Sequence, residues 1–335
     1  MRALVLTGPG RAEVRTVPDP VVAAGQVVVR VERVGVCGTD LELFGGEMSY
    51  LHDGRSSYPL RPGHEWCGTV GAAGAGVDES WIGRRVTGDT MVGCGHCRRC
   101  ESGRHWVCAD RHELGITDGL PGALAEQVAV PAAYLHPLPG TVDATLGALV
   151  EPGGNALRCV LAAELAIGER LLVLGTGTIG LLVALFARAR GADVHVLGRS
   201  EEELALPRSL GLGHAWTRAT LPALPWDGIV DASSGPEMPA LALDLVEPGR
   251  RLVYIGLSTA PSTVDTRTLV LKDVTAVGIL GASAGLAGAI RAYADGSVDP
   301  RALVAATVPL DEIVGVFEGR RPPGTGPKIH VDPRL

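Results

Sequence analysis

Apolar residues follow different patterns on the two sides of Glu151. Before it, short runs rich in β-branched side chains are separated by Gly or Pro every eight to fifteen positions. Runs of this kind predict short strands joined by turns. We predict strands at 1–6, 27–31, 69–70 and 127–130. The first 150 residues are therefore expected to form a β-rich unit.

After Glu151, apolar runs of strand type alternate with longer runs of helical periodicity. Arg170–Leu174 is a nearly continuous apolar run, which is typical of a strand buried on both faces. We predict strands at 170–174, 193–197, 228–232, 251–257 and 275–280, and helices at 156–165, 179–190, 201–210 and 238–246. This alternation indicates a parallel, doubly wound sheet. A helix from 284 to 295, a helix near 311–318 and a strand near 328–331 could complete either domain.

The composition narrows the class of protein. The 335 residues are 46% hydrophobic and 20% charged with a net charge of −7, which is typical of a packed globular protein without a basic surface for nucleic acid. The longest apolar stretch, Leu171–Ala187, contains three glycines and falls short of the roughly 20 residues of a membrane span. The first apolar run is too short for the core of a secretion signal. Seven cysteines, an odd number, then favour thiolates in the reducing cytoplasm over a disulfide framework.

A glycine-rich turn joins the predicted strand at 170–174 to the helix that follows it. Gly175, Thr176, Gly177, Thr178, Ile179 and Gly180 form a GxGxxG pattern. In this position the pattern predicts a dinucleotide site, where the pyrophosphate meets backbone N–H groups at the helix N-terminus. The alternative is a purely structural turn.

Arg199 and Ser200 follow the next predicted strand, where an NAD site places Asp or Glu on the ribose hydroxyls. A guanidinium and a hydroxyl suit the 2′-phosphate of NADP better, so we favour NADP over NAD. Alternatively, Arg199 stacks on adenine or faces solvent and either cofactor is used. Glu201, Glu202 and Glu203 would weaken the positive charge.

Four cysteines lie within fifteen residues in the spacing C-x2-C-x2-C-x7-C: Cys94, Cys97, Cys100 and Cys108. Four thiolates suit a closed tetrahedral zinc site, which would stabilise a loop with little core of its own. An iron–sulfur cluster and a nucleic-acid zinc ribbon are the alternatives. Cys108 is followed by Ala, whereas bacterial iron–sulfur spacings usually end in Cys-Pro.

A second set of possible ligands is scattered along the chain: Cys37, His64, Glu65 and Glu151. One thiolate, one imidazole and nearby carboxylates could hold zinc and leave a coordination position open. Their spacing alone does not show that they converge.

These motifs, in this order, resemble the zinc-containing medium-chain alcohol dehydrogenases, and the resemblance extends over essentially the whole chain. It rests on Gly-Val-Cys37-Gly-Thr39-Asp40, Pro-Gly-His64-Glu65, the four-cysteine segment, Val-Glu151-Pro and the glycine loop. The chain is most similar to the sorbitol, glucose and threonine dehydrogenase branch. Gly63–Trp66 and His136–Pro139 are also similar to aminocyclitol-pathway enzymes such as 2-deoxy-scyllo-inosamine dehydrogenase.

The resemblance implies an α/β fold with a GroES-like, β-rich catalytic domain at 1–152 and 284–335 and a Rossmann domain at 153–283. The structural zinc would lie in a lobe at about 93–109. Cys37 and His64 would bind the catalytic zinc, and Glu65 and Glu151 would bind it or exchange with its water. Thr39 would relay the alcohol proton, and Asp40 would orient His64. Members are usually homodimers or homotetramers.

Three departures from the family pattern bear on substrate identity and proton transfer. Glu42 and Arg158 stand where the family often has histidines, and Gly153-Gly154-Asn155 follows Glu-Pro where Leu-Ala or Leu-Ser is usual. Arg158 would bind a polar or anionic substrate group or form a salt bridge. Tyr50 and His52 lie in a polar loop between two ligand motifs and are expected to contact substrate.

The expected function is a zinc-dependent, NAD(P)-linked dehydrogenase with two zinc ions per chain. It would oxidise a secondary alcohol of a polyol, sugar or aminocyclitol, or reduce the ketone. One alternative is a redox-neutral epimerase or eliminase that retains its cofactor. The other is a non-catalytic NADP-binding protein.

Overall fold

The computed structural model describes residues 1–335, which form two compact units. The first unit consists of Met1–Glu151, Tyr293–Asp295 and Val304–Leu335. The second consists of Pro152–Ala292 and Gly296–Leu303. The second unit is thus inserted into the chain of the first, and each has its own sheet.

The first unit is β-rich, as its sequence pattern predicts. Its strands are β1 (Arg2–Gly8), β2 (Arg11–Thr16), β3 (Gln26–Gly35), β4 (Glu65–Ala73), β5 (Arg85–Gly88), β6 (Met91–Val92), β7 (His112–Glu113), β8 (Gln127–Pro131), β9 (Leu135–Pro137), β16 (Val304–Pro309) and β17 (Lys328–Asp332). The main sheet has the order β16-β17-β3-β4-β5-β9, and β8 also pairs with β3. β1 pairs with β2 and β6 pairs with β7 in two small sheets.

The long strand β3 lies in the interior of the main sheet and pairs with β17, β4 and β8. Its valines at 27, 29 and 31 are at most 1% exposed and belong to the core. At its end, Gly35 pairs with Glu65 of β4 on one side and with His330 of β17 on the other. The pairing therefore brings residues from three distant parts of the chain together at the end of β3.

The helices of the first unit are short. They are α1 (Gly38–Gly45), α2 (Ser49–His52), α3 (Arg98–Glu101), α4 (Ala144–Ala148) and α11 (Ile313–Phe317). Single 3₁₀ turns lie at Glu79–Trp81, His105–Val107, Ala132–Tyr134 and Leu310–Glu312. The helix predicted near 311–318 is thus a 3₁₀ turn followed by the single turn of α11.

The second unit contains the predicted parallel sheet. Its strands are β10 (Arg170–Leu174), β11 (Asp193–Leu197), β12 (His214–Trp216), β13 (Trp226–Asp231), β14 (Val246–Tyr254) and β15 (Thr275–Gly278). They have the order β12-β11-β10-β13-β14-β15, and all neighbouring pairs are parallel. The first strand lies in the middle, which is the doubly wound arrangement. This confirms the predicted fold class.

Helices join these strands. They are α5 (Val150–Ala163), α6 (Thr178–Ala189), α7 (Ala205–Ser209), α8 (Met238–Leu245), α9 (Thr266–Leu271) and α10 (Leu286–Ala294). The helix predicted at 201–210 is wrong in its first four residues. Pro207 lacks an N–H and its ring would meet the carbonyl of residue 203, so the helix begins only at Ala205. None of the helices has the length and apolarity that crossing a bilayer requires.

Most of α10 lies in the second unit, whereas the family resemblance implies a return to the first domain at residue 284. A Cβ atom on Gly288 would lie 2.4 Å from Cδ2 of Leu157, and one on Gly285 would lie 2.0 Å from the carbonyl oxygen of Gly154. These close contacts pack the segment against α5. The chain therefore rejoins the first unit at 293–295 and again from residue 304.

Candidate functional site

Three of the scattered ligand candidates converge beside the end of β3. Cys37 follows β3, His64 precedes β4, and Glu65 is the first residue of β4. One ligand atom from each lies within 4.8 Å of the others. His64 and Glu65 are buried, and Cys37 is partly exposed. A thiolate, an imidazole and a carboxylate in one place could hold zinc.

Asp40 connects the loops that carry these residues. Its carboxylate accepts hydrogen bonds from the backbone N–H of Cys37 (2.8 Å) and of Gly63 (3.1 Å), and it is fully buried. Its Oδ1 also lies 3.5 Å from Nδ1 of His64. Burial alone would lower the pKa of His64, but Asp40 and Cys37 outweigh burial and raise this pKa well above its ordinary value. The negatively charged neighbours of His64 therefore favour positive charge at its imidazole ring.

Lys328, the first residue of β17, also belongs to the site and was not predicted from the sequence. Its Nζ lies 2.7 Å from both carboxylate oxygens of Glu65 and donates to the carbonyl of Val36 at 2.9 Å. Burial would lower the pKa of Lys328, but Glu65 and Cys37 raise it, so the side chain is an ammonium. The sequence did contain one signal for Lys328. Only two of the 30 basic residues are lysines, so each lysine stands out in a chain that otherwise uses arginine.

Two other predicted site residues are Glu151 and Thr39. Glu151 is buried near the start of α5 and is not among the ligand atoms within 4.8 Å of one another. Of the two predicted carboxylates, the structure therefore brings only Glu65 to Cys37 and His64. Thr39 lies on α1 beside Asp40 and is partly exposed.

The four-cysteine segment forms a second possible metal site. The Sγ–Sγ distances are 3.6 Å for Cys97–Cys100, 3.7 Å for Cys97–Cys108 and 4.0 Å for Cys94–Cys100. With Zn–S bonds of about 2.3 Å, sulfur atoms of a tetrahedral site lie about 3.8 Å apart. The backbone N–H of Cys100 helps to lower the pKa of Cys97 to about 6, which favours a thiolate. The four residues thus fit a closed zinc site.

Neighbouring residues hold this lobe in shape. Tyr134 donates its hydroxyl hydrogen to the carbonyl of Gly93 and accepts from the N–H of the same residue, at 3.0 and 3.1 Å. His105 lies 2.7 Å from Asp89. A Cβ atom on Gly93 would lie 2.6 Å from Sγ of Cys100, so only glycine fits beside the thiolates.

A third group with ligand geometry, Asp193, His195 and His214, is less suited to a metal. Trp216 donates its indole N–H to Nδ1 of His195 at 3.0 Å. An indole nitrogen can only donate, so the neutral imidazole carries its proton on Nε2. That nitrogen faces Asp193 at 3.4 Å as a donor, and is not a free ligand.

The glycine loop has the geometry expected of a dinucleotide site. Gly175 has a φ of 111°, which favours glycine, and a Cβ on Gly180 would lie 2.2 Å from the carbonyl oxygen of Gly175. A Cβ on Gly177, by contrast, would meet no protein atom within 4 Å. Gly177 is the N-cap of α6, so the space beside it lies at the helix N-terminus. A pyrophosphate in this space can accept hydrogen bonds from backbone N–H groups of the helix.

Arg199 is bound by one of the three glutamates that follow it. Its Nε lies 2.8 Å from Oε1 of Glu203, while Oε2 of the same carboxylate accepts from the hydroxyl of Thr176 at 3.1 Å. The Arg199 side chain is 91% exposed. Ser200 accepts a hydrogen bond from the N–H of Glu203 at 3.4 Å. The glycine loop and the Arg199 turn are therefore joined through Glu203.

The predicted substrate residues lie in different settings. The Tyr50 hydroxyl donates to Glu113 at 3.2 Å, and His52 is exposed at the end of α2. Arg158 donates from Nη1 to the backbone carbonyls of Leu280 and Gly281. This contact stabilises a loop of the second unit, and a substrate role for Arg158 stays a prediction.

Two family models match the chain. The model for the alcohol dehydrogenase GroES-like domain matches residues 23–140, and the model for the zinc-binding dehydrogenase matches residues 178–295. Together they cover both the proposed metal centres and the segment that begins at α6.

Individual proteins match over most of their length. An L-threonine 3-dehydrogenase from Saccharopolyspora erythraea is 33% identical over 84% of both chains. A zinc-binding dehydrogenase from Sinorhizobium meliloti 1021, solved with NADP, has a TM-score of 0.90 at 26% identity over 99% of both chains. An alcohol dehydrogenase from Escherichia coli CFT073, solved with NADH, has a TM-score of 0.90 at 25% identity over 99% of both chains.

Proposed function

The chain belongs to the zinc-containing medium-chain alcohol dehydrogenase family, and on this premise we propose that it oxidises a secondary alcohol of a polyol, sugar or aminocyclitol, or reduces the corresponding ketone. It is a zinc-dependent oxidoreductase with a GroES-like and a Rossmann-type domain. The convergence of Cys37, His64 and Glu65 is the observation that carries the proposal. A protein that only binds a dinucleotide needs no mixed ligand set of this kind.

We propose that Cys37, His64 and Glu65 hold the catalytic zinc and that the four-cysteine lobe holds a second, structural zinc. When bound, the catalytic zinc supplies Lewis acidity to the substrate oxygen, and the nicotinamide accepts the hydride that the alcohol carbon loses. The hydroxyl of Thr39 carries the proton released from the alcohol. Asp40 holds His64 and the backbone of Cys37 in place.

NADP is the proposed cofactor. The open space beside Gly177 accommodates a pyrophosphate, and Arg199 supplies a guanidinium for a 2′-phosphate. Glu203 already binds this guanidinium, so the preference for NADP is expected to be moderate. Structures of similar proteins hold NADH in one case and NADP in another.

A polar cluster supports a hydroxylated substrate. Tyr50 and Arg111 both donate to Glu113, at 3.2 and 2.9 Å. The next residue, Leu114, donates its N–H to the backbone carbonyl of Thr90. The Thr90 hydroxyl in turn donates to the backbone carbonyl of His64 at 3.4 Å. These hydrogen bonds connect the cluster of Tyr50, Arg111 and Glu113 to the backbone of His64, a proposed zinc ligand.

The test is a substrate panel combined with metal analysis. Polyols, aminocyclitols, L-threonine and simple alcohols are supplied with NADP or NAD, and reduced cofactor is followed at 340 nm. We expect two zinc ions per chain and turnover of at least one polyhydroxylated substrate. Conversion without change in absorbance, with cofactor retained on the protein, would instead indicate an epimerase or eliminase. One zinc per chain and no turnover would indicate a binding protein.

We propose a homodimer or homotetramer. β15 is the last strand of its sheet, and most of its residues are exposed. Val270 and Leu271 precede it and are 74% and 86% exposed. An exposed strand edge beside apolar side chains favours pairing with another chain. Light scattering gives the mass in solution, and a monomer at micromolar concentration would contradict the proposal.

A further inference from the structure

The pair of Glu65 and Lys328 is fully buried and fully satisfied. The two side chains are 2% and 3% exposed. All three N–H groups of the ammonium have acceptors, namely both oxygens of Glu65 and the carbonyl of Val36. The contact joins residues 263 positions apart. Turning the ammonium away from the carboxylate would break hydrogen bonds in a buried site, so Lys328 stays bound to Glu65.

The backbone beside Glu65 is shaped to admit the carboxylate in this position. A Cβ atom on Gly35 would lie 2.2 Å from Oε2 of Glu65. Because Gly35 is paired with Glu65 across β3 and β4, any other residue there would displace the carboxylate from the ammonium. The strand pairing and the lysine therefore fix the same carboxylate orientation.

A carboxylate bound by an ammonium through both oxygens is a weaker metal ligand than a free one. The ammonium withdraws electron density from both oxygens, and its charge repels a divalent cation at the same site. Zn²⁺, the Cys37 thiolate and the Glu65 carboxylate sum to zero charge, the buried Asp40 carboxylate adds one negative charge, and Lys328 offsets it. A centre without the lysine would be more negative by one charge, so it would hold its metal more tightly and attract an anionic oxygen ligand less.

We propose that Lys328 is a positioning residue that keeps Glu65 a weak, exchangeable ligand of the catalytic zinc. This inference rests on the proposed function, since it assumes zinc at Cys37 and His64. The lysine lowers the contribution of Glu65 to metal binding and preserves positive charge for the substrate oxygen. Removing the lysine should therefore strengthen metal binding, although removing a hydrogen-bond partner of a ligand ordinarily weakens it.

The experiment measures zinc release into excess of a coloured chelator from the intact protein. The variants are K328M, which removes charge and donors, K328Q, which keeps donors without charge, and K328R, which keeps both. The C37S variant gives the release rate of the four-cysteine lobe alone, which is subtracted. We expect K328M and K328Q to release the second zinc at least about tenfold more slowly than wild type, because the positive charge that repels the metal is removed. K328R should restore rapid release.

Lys272 provides a matched control. Its Nζ also has three acceptors, the carbonyls of Leu243, Asp244 and Val246, but it lies in the second unit. K272M should release both zinc ions at wild-type rates. If K328M does not fold, K328Q carries the test because it retains donors to Glu65.

A second readout is the visible spectrum after cobalt(II) replaces zinc. Permanent binding of Glu65 in K328M and K328Q should change the intensity of the cobalt bands relative to wild type, whereas K328R should match wild type. Equal or faster zinc release from K328M and K328Q, with unchanged cobalt spectra, would overturn the inference. A wild-type protein that releases only the zinc also found in C37S would refute the proposed function itself.

Discussion

Oδ1 of Asp40 lies 3.5 Å from Nδ1 of His64, and the same carboxylate accepts a hydrogen bond from the backbone N–H of Cys37. Asp40 thus acts on two of the three proposed zinc ligands at once. A carboxylate on one ring nitrogen fixes the orientation of the imidazole and leaves the other nitrogen for the metal.

The first prediction concerns this carboxylate. D40N should weaken zinc binding at the catalytic site by about 10- to 100-fold, because the neutral amide no longer orients His64 by charge. Competition with a chelator of known affinity measures the change. D53N is the control, since Asp53 pairs with Arg55 in the exposed loop. Unchanged zinc affinity in D40N would show that Asp40 only shapes the loop.

The second prediction separates chemistry from folding. C37S and H64A should each lose turnover while keeping the circular dichroism spectrum of wild type, because both residues lie at the ends of strands and outside the main core cluster. Zinc analysis should show one ion per chain in place of two. Substantial turnover in zinc-depleted C37S would contradict the proposed mechanism.

The third prediction concerns the four-cysteine lobe. C100S should lose the other zinc and destabilise the protein, because Cys100 lies within 4.0 Å of two of the other sulfurs. A loss of about 2 kcal/mol lowers the melting temperature by about 4 to 8 °C in a domain of about 150 to 250 residues, and the first unit falls in this size range. Calorimetry of C100S beside C37S measures the difference. A wild-type melting temperature for C100S would exclude a structural zinc.

The fourth prediction concerns cofactor preference. R199A should reduce the ratio of kcat/KM for NADP to that for NAD by about 10- to 100-fold, the value of a charge-assisted hydrogen bond to phosphate. E203Q should raise the ratio by about two- to fivefold, because it frees the guanidinium from an exposed ion pair. E202Q changes the net charge equally and should have no effect. An NAD preference in wild type would refute the NADP assignment.

The fifth prediction concerns acid stability. His330 is fully buried, and neither ring nitrogen has a hydrogen-bond partner. Burial, with Lys328 and Arg33 nearby, lowers its pKa well below 6.5. Below pH 6.5 the unfolded chain binds a proton at this histidine and the folded chain does not, so stability falls as the pH falls. The limiting slope is about 1.4 kcal/mol per pH unit.

H330L removes this titration. Urea unfolding of the zinc-loaded proteins between pH 8 and pH 5 should show a smaller loss of stability in H330L than in wild type. The difference between the two proteins isolates His330 from other groups. Parallel curves for the two proteins would mean that His330 accepts a proton in the folded state.

Local patterns predicted the features that depend on neighbouring residues in the chain. The apolar runs at β10 and β11 have the predicted bounds, and the cysteine spacing was sufficient to predict the four-sulfur cluster. Convergence of Cys37 with His64 and Glu65 required the family resemblance, because it depends on the pairing of β3 with β4. Lys328 was missed, since its contact with Glu65 depends on a strand far along the chain.

Electrostatic pairing within a turn was only partly predictable. The sequence indicated that glutamates would weaken the positive charge of Arg199. It did not distinguish which of the three adjacent glutamates, 201 to 203, would bind the guanidinium. The structure selects Glu203, because the turn of residues 201–204 directs that side chain back to both Arg199 and Thr176. The role of Arg158 in binding two loop carbonyls likewise depends on tertiary packing.

The insertion of one unit into the chain of the other limits how the protein can be dissected. A gene fragment ending at residue 151 would encode every proposed metal ligand but not β17. In that fragment the end of β3 would lose a neighbouring strand, and Glu65 would lose its ammonium. Zinc affinities measured on such a fragment would describe a different centre. A faithful minimal version must join the last strands to the first 151 residues.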